Sequence, residues 1–300
     1  MAATATTLDV LAAPTARPHS PTLAAWRRLW RSPVARAGLV IVVVFLLVAV
    51  LTPAVHLYDP KTDSNLVDRL KSPTAAHPFG TDSLGRDILV RVLHGTRVSL
   101  GLGVSAVAVA SVLGSLVGLI AGYTGRRVDL VLMFSMDILL AFPSTLLAIA
   151  IVAMIGPGLR NSLLAISLVS IPVYARIARA AVLELREQEF VTAARGMGGN
   201  AGRVLLRHIF PNSLPPLIVQ TSLAISGAIL EAAALGFLGL GAQPPTPEWG
   251  AMLADSYKYF TSGAWWAFFF PGAAIMLAVL GFNLLGDGLR DALDPRLRAD

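Results

Sequence analysis

Cysteine is absent from this 300-residue chain. Disulfide bonds, iron–sulfur clusters and thiol chemistry are therefore excluded, whatever the compartment. Charged residues are also scarce: they make up 14% of the chain, whereas a soluble domain carries about 25%. Hydrophobic residues make up 55%, and the mean hydropathy is +0.68. This balance predicts a membrane protein.

The chain also lacks the motifs of several enzyme classes. It has no Gly-x-x-x-x-Gly-Lys-Ser/Thr sequence, so it does not hydrolyse ATP itself. Its five histidines show no metal-ligand spacing. We predict that the chain is not an enzyme and has no catalytic residue, metal site or cofactor of its own. The net charge of +6 comes from basic residues beside apolar runs, which favours membrane orientation over nucleic-acid binding.

Six apolar stretches are long enough to cross a hydrocarbon core of about 30 Å, which predicts an all-α, polytopic fold with six transmembrane helices. Two stretches contain an acidic residue, and ionisable groups at membrane depth are functional candidates. Asp137 is best explained by an ion pair or an interfacial position near Arg126 and Arg127. Glu231 lies deeper, could be protonated, paired or cavity-lining, and is a candidate for a translocation path. The predicted spans are 38–55, 98–122, 130–155, 161–181, 212–241 and 263–286.

Lysine and arginine are distributed unequally between the two sides of the predicted spans. With the N-terminus inside, the inner segments hold 16 of these residues and the outer segments hold 8. This bias predicts that both termini are cytoplasmic. The expected regions are a disordered cytoplasmic tail (1–24), a first-span region (25–75), an extracytoplasmic interfacial segment (76–97), the transmembrane domain (98–290) and a cytoplasmic tail (291–300).

Small residues form a stripe in the second predicted span. Gly114, Gly118 and Gly122 recur at four-residue spacing, so they lie on one face of a helix. Such a stripe lets a neighbouring helix approach closely. We predict helix packing inside one subunit here rather than contact with a substrate.

The segment between the fourth and fifth spans is polar and basic. We predict two short helices against the cytoplasmic face of the membrane. Gly198 ends the first helix, because glycine adopts the left-handed conformation without a Cβ penalty. Asn200 caps the second, which carries Arg203 and Arg207 on one face and is stopped by Pro211.

The first of these helices carries two small residues, Ala193 and Ala194. Small side chains in a protruding helix suit docking into a cleft on a partner. The alternative is an ordinary surface loop that is basic because it faces the cytoplasm.

Two outer loops have distinctive compositions. A turn-rich segment at 77–87 leads into an amphipathic stretch expected to lie in the interface. The loop after the fifth span carries Gln243, Pro244, Pro245 and Trp249, which suits contact with another protein or the lining of an outer mouth. The alternative is a passive connector whose tryptophan anchors the interface.

The basic segment resembles the loop shared by membrane subunits of ABC importers, whose pattern is Glu-Ala-Ala, three residues, Gly, nine residues and Ile-x-Leu-Pro. Thr replaces the glutamate, His the isoleucine and Phe the leucine of that pattern. The matching positions are Thr192, Ala193, Ala194, Gly198, His208, Phe210 and Pro211. Residues 58–100, 237–253 and 271–296 are similar to the C-type permease subunit of dipeptide and oligopeptide ABC importers, a group that includes nickel permeases. This likeness extends from about residue 26 to residue 298.

The resemblance implies a type I ABC importer permease fold in the bacterial inner membrane. It implies a heterodimer with a second permease, two ATP-binding subunits that hold ATP and Mg²⁺, an extracytoplasmic solute-binding protein and surrounding membrane lipid. The cargo would be dipeptides or oligopeptides, or alternatively nickel or another small solute.

In that mechanism a coupling loop at 184–211 rests in the ATPase cleft. The implied coupling residues are Glu189, Thr192, Ala193, Ala194, Gly198, Arg203 and Pro211. The residues alone leave two other classes of membrane protein open. One is a non-transporting membrane scaffold, which would not need the coupling loop. The other is a proton-coupled carrier that would depend on Glu231.

Overall fold

The computed structural model describes residues 21–55, 59 and 63–293. Residues 1–20 of the predicted tail and 294–300 at the other end lie outside the described residues. Within the described ranges the fold is all-α, and the β pairing is limited to an isolated antiparallel bridge between Thr81 and Asp87. The helices are α1 (Pro21–Arg31), α2 (Pro33–Val55), α3 (Ile88–Thr124), α4 (Arg126–Leu140), α5 (Ser144–Ile155), α6 (Leu159–Leu185), α7 (Glu189–Gly196), α8 (Ala201–Val204), α9 (Phe210–Phe237), α10 (Trp249–Phe260) and α11 (Trp265–Leu293).

Both predicted tails are shorter than expected, because the helices next to them extend into the predicted tail regions. Residues 21–24 form the first turn of α1, and 291–293 are the last residues of α11. The described parts of both tails are therefore helical.

Five helical segments are long and apolar enough to cross a membrane. They are α2, α3, α6, the continuous stretch 201–237 that contains α8 and α9, and α11. The pair α4 and α5 passes the same test together but is bent by 88°, so the total reaches six when the pair counts as one span.

The predicted third span, 130–155, is therefore wrong as a single helix. The break falls at Pro143, whose ψ of 128° is extended. Proline has no N–H for a helical hydrogen bond, and its ring disfavours helical conformation in the residue before it. Hydropathy alone does not reveal this break, since the residues on both sides are apolar; the local signal is Pro143 itself.

The centre of the bundle is the contact between α3 and α6. A Cβ built on Gly118 would lie 2.2 Å from the carbonyl oxygen of Ala175, and one on Gly114 would lie 2.5 Å from that of Ile171. At Gly122 the neighbours are Val182 and the carbonyl of Arg179. The glycine stripe thus lies where two helix backbones of the same subunit touch.

Replacing Gly118 by alanine should destabilise the bundle. The new methyl group would overlap the α6 backbone, so the two helices must separate at a cost of about 1–3 kcal/mol. A thermal-unfolding measurement on the purified protein in detergent checks this. Gly227→Ala is the matched control, because a Cβ there meets nothing within 4 Å. Equal melting temperatures for the two variants would contradict the packing argument.

The helix that follows the basic segment does not stop at Pro211, so that prediction is wrong. From α8 the chain continues through a π-helical turn, Leu205–Ile209, directly into α9. Pro211 occupies the first turn of α9, where a missing N–H is well tolerated. The second of the two predicted short helices is therefore the start of a long one.

At the opposite end of the bundle, residues 63–87 and 238–264 form a cap. Asp87 caps α3 by accepting a hydrogen bond from the backbone N–H of Val90 (3.1 Å), and α3 then runs without interruption for 37 residues. Residues 88–97 are therefore the first turns of α3. The amphipathic stretch predicted before the second span is thus continuous with that span.

Candidate functional site

The basic segment between α6 and α9 has the predicted turn chemistry. Gly198 adopts a φ of +82°, and the N–H of Gly199 bonds the carbonyl of Ala194 at 3.0 Å, which closes α7. The side chain of Asn200 accepts a hydrogen bond from the N–H of Arg203 at 2.8 Å and caps α8. Both local predictions, the glycine end and the asparagine cap, are confirmed.

The two alanines of this segment face in different directions. Ala194 is 5% exposed and packs in a cluster with Val191, Val182 and Val204. Ala193 is exposed. Because residues three apart share a helix face, Val191 and Ala194 point inward together. The prediction that both alanines form a docking surface is therefore wrong for Ala194.

The outward surface of the segment includes all six of the other predicted coupling residues. Met197, which the motif did not single out, is 82% exposed. The exposed members of the predicted set are Glu189, Thr192, Ala193, Gly198, Arg203 and Pro211.

Two contacts tie the basic segment and the end of α6 to α3. The Arg195 guanidinium lies 5.7 Å from the centroid of the Tyr123 ring at the end of α3. The Arg186 guanidinium donates a hydrogen bond to the carbonyl of Gly122 at 3.1 Å. The segment and the adjoining end of α6 therefore both contact the end of α3. No local motif predicts these contacts, because the partners lie more than sixty residues apart.

The acidic residues in the spans both have partners on other helices. The Ser144 hydroxyl, directly after the break between α4 and α5, donates to Glu231 at 2.9 Å. Asp137 pairs with Arg176 at 2.6 Å. The prediction of an ion pair is thus correct, but the expected neighbours Arg126 and Arg127 are not the partners. Eleven residues of helix separate Arg126 from Asp137, about 16 Å, which is beyond side-chain reach.

The bend and its charged neighbours lie on an open face of the chain. Residues 141–146 are all exposed, and about half of each side chain in the Asp137–Arg176 pair is exposed. Carboxylates and guanidinium groups at membrane depth do not face lipid tails in stable proteins. This face is therefore the side of the bundle that requires a protein or aqueous neighbour.

In the cap, the proline-rich loop divides into an exposed part and a buried part. Gln243, Pro244 and Pro245 are exposed. Trp249 is 0% exposed, and its indole N–H donates to the carbonyl of Val92 at 3.0 Å. The prediction that Trp249 contacts a partner is therefore wrong, and so is the alternative of an interfacial anchor. The tryptophan belongs to the core.

Glu248, the residue before that tryptophan, is also buried. Its carboxylate accepts hydrogen bonds from the backbone N–H groups of Gly250 and Ala251 at 2.9 Å and from the Ser99 hydroxyl at 3.2 Å. These bonds cap α10 and hold it against α3. Burial raises the pKa of the Glu248 carboxyl, and the hydrogen bonds oppose that rise.

A buried ion cluster holds the other half of the cap. Asp82 is 2% exposed, and it accepts hydrogen bonds from the guanidinium groups of Arg86 (2.7 Å) and Arg91. Both arginines are also buried. Asp255 lies farther away, at 3.9 Å from each arginine. Sequence reasoning missed this cluster and the Glu248 site.

The described residues contain no group of three or more His, Cys, Asp or Glu side chains that could hold a metal ion.

Family comparisons agree with this geometry. Residues 88–299 match the model of the binding-protein-dependent transport system inner membrane component. The chain belongs to that family. Residues 20–73 match the N-terminal transmembrane domain of oligopeptide transport permease C. The chain is therefore a membrane-spanning transport permease.

Several relatives of this permease are similar over nearly their whole length. The dipeptide transport system permease protein DppC of Alkalihalophilus pseudofirmus is 51% identical, across 93% of this chain and 91% of the relative. The probable D,D-dipeptide transport system permease protein DdpC of Escherichia coli is 48% identical, across 88% of each chain. The glutathione transport system permease protein GsiD of Pectobacterium atrosepticum is 45% identical, across 91% of each.

Proposed function

We propose that this permease is one of two membrane subunits of an ATP-driven importer of dipeptides or short oligopeptides. The observation that carries the proposal is the 51% identity, over nearly the full chain, to a permease named for dipeptide transport. A second relative is named for the transport of glutathione, which is itself a small peptide. These names favour peptide cargo over nickel, the alternative that the resemblance left open.

The second membrane subunit covers the open face at the α4–α5 bend. The Asp137–Arg176 pair and Glu231 lie there at membrane depth, where a lipid neighbour is unfavourable. A heterodimer of two permeases supplies a protein neighbour and encloses a polar path between the subunits. Glu231, held by Ser144, lines that path beside the bend.

Energy enters through the coupling segment. Its exposed surface, which includes Ala193 and Met197, docks into the cleft of an ATP-binding subunit, and two such subunits hold ATP and Mg²⁺. Closure of the ATPase pair moves α7, and the contacts at Tyr123 and Gly122 transmit the movement to α3. The excess of lysine and arginine on this side supports a cytoplasmic location for the segment and for both termini.

Cargo arrives at the opposite end. The exposed edge Gln243–Pro244–Pro245 is stiff and borders the cap, so it suits contact with an extracytoplasmic solute-binding protein. The buried Trp249 and Glu248 hold this edge in place from below.

Affinity purification of the tagged chain from its own host in mild detergent tests the assembly. We expect a second permease, ATP-binding subunits and a solute-binding protein to co-purify, with a peptide extractable from the binding protein. Mass spectrometry of proteins and small molecules identifies each component. Recovery of the chain alone, under conditions that keep another ABC importer of the host intact, would contradict the assembly. A non-peptide ligand on the binding protein would contradict the cargo only.

A further inference from the structure

Two apolar grooves meet on α3 at the end of the bundle that carries the cap. The first, of about 630 Å³, lies between α2 and α3, with Leu46 and Val50 on one wall. The second, of about 610 Å³, lies between α3 and the start of α6, with Leu159 and Leu163 on its wall. Most of the remaining lining of both grooves is apolar.

Two residues of α3, Arg97 and Gly101, line both grooves. Gly101 has no side chain to separate the two grooves, and the space beside it is open, since a Cβ built there would meet nothing within 4 Å. Arg97 lies one turn before Gly101 and is exposed. The two grooves therefore diverge from a single cationic position.

A second guanidinium, that of Arg160, lines the groove on the α6 side. Within the described part of the chain, neither Arg97 nor Arg160 forms an ion pair or a side-chain hydrogen bond. No carboxylate is among the described residues that line the two grooves. The site therefore has two positive charges with no negative partner from this chain.

Hydropathy places both cations at the ends of apolar spans, where water meets hydrocarbon. Arg97 directly precedes the uncharged run 98–122, and Arg160 is the second residue of α6. Arginine at such a position binds phosphate through paired N–H groups, whereas the apolar walls extend toward the middle of the membrane.

We propose that these grooves bind one anionic diacyl phospholipid, with its phosphodiester between Arg97 and Arg160 and one acyl chain in each groove. A single charged head above two divergent apolar channels matches a two-chain lipid better than a free anion, which would leave the channels unfilled. The bound lipid bridges α2, α3 and α6 beneath the cap. This inference does not depend on the cargo or on ATP coupling.

Native mass spectrometry of the full complex tests the proposal. The complex is reconstituted in nanodiscs with equal amounts of phosphatidylglycerol and phosphatidylcholine, extracted in mild detergent, and its retained lipids are identified. We expect the wild-type complex to retain phosphatidylglycerol preferentially. In the double variant Arg97→Gln/Arg160→Gln this retention should fall by about tenfold, through loss of two charge-assisted contacts.

A second variant tests the apolar half of the site with both arginines present. Gly101→Leu adds a side chain where the grooves meet, so retention of both lipid classes should fall. Gly227→Leu is its matched control, because a Cβ there also meets nothing within 4 Å. Lys258→Gln controls for charge, since it removes an exposed cation of the cap outside both grooves. Both controls should retain phosphatidylglycerol as the wild type does.

Three results would overturn the proposal. The first is equal lipid retention in the wild type and in both groove variants. The second is a wild-type complex without retained lipid, which would mean that another subunit covers the grooves. The third is complete displacement of phosphatidylglycerol by excess inorganic phosphate, which would mark a simple anion site. None of these readouts requires transport, so they leave the proposed importer function untouched.

Discussion

Replacing Ala193 by arginine should abolish ATP-driven uptake while the chain remains folded in the membrane. Ala193 is exposed on α7 and lies on the surface proposed to enter the ATPase cleft. A long charged side chain there would separate the two surfaces. Truncation or disruption of a central contact typically costs about 2–4 kcal/mol, which weakens binding by roughly thirtyfold to a thousandfold. Uptake of a radiolabelled peptide in whole cells, with quantified membrane levels of the chain, measures the effect.

The neighbouring alanine provides the contrast. Ala194 is buried in one cluster with Val191 and Val204, so Ala194→Arg should fail by unfolding this end of the bundle. That variant should lower the amount of folded chain as well as uptake. Ala193→Ser is the conservative control at the exposed position and should transport normally. Normal uptake by Ala193→Arg would contradict the coupling role, whereas loss of folded chain would mean that Ala193 contributes to packing.

Replacing Asp82 by alanine should produce the largest loss of stability. Its carboxylate is the close partner of two buried guanidinium groups and also accepts the backbone N–H groups of Leu84 and Arg86. Removing one partner of a buried ion pair typically costs about 3–5 kcal/mol, because a charge is left without compensation. Thermal unfolding in detergent and protease cleavage within 63–87 should both show that the cap opens.

Asp255→Ala is the matched control for this prediction. Its side chain is 46% exposed and lies 3.9 Å from each arginine, so we expect a change below about 1 kcal/mol. A triple variant, Asp82→Ala/Arg86→Met/Arg91→Met, should recover much of the lost stability, because no buried charge then remains unpaired. An equal effect of Asp82→Ala and Asp255→Ala would contradict the assignment of Asp82 as the central partner.

The interior of the spans illustrates where sequence reasoning succeeds and where it stops. The glycine stripe in α3 was identified from spacing, because four-residue periodicity places the residues on one face whatever surrounds the helix. Only the three-dimensional structure shows that α6 is the helix that packs against this stripe. Likewise, an ion pair for Asp137 follows from the cost of an isolated charge in a membrane, but its partner Arg176 lies 39 residues away.

The coupling segment shows the same division within a few residues. Gly198 and Asn200 were recognised correctly, since caps and left-handed turns depend on the residue itself and its immediate neighbours. The continuation of the helix through Pro211 was missed. The π-helical turn before it changes the backbone register, and proline in a first helical turn lacks only an N–H that would be unsatisfied anyway.

Local composition by itself determined the all-α membrane class, the positions of the apolar runs, the turns of the coupling segment and the family motifs. These properties depend on short-range hydropathy and backbone preference. Tertiary structure alone decided that Ala194 and Trp249 are buried, that Glu231 meets Ser144, and that Asp82 holds two arginines. Burial and the choice of partner arise from contacts between residues that are distant in the sequence. The sequence of an apolar run does not show which of its faces another helix will cover.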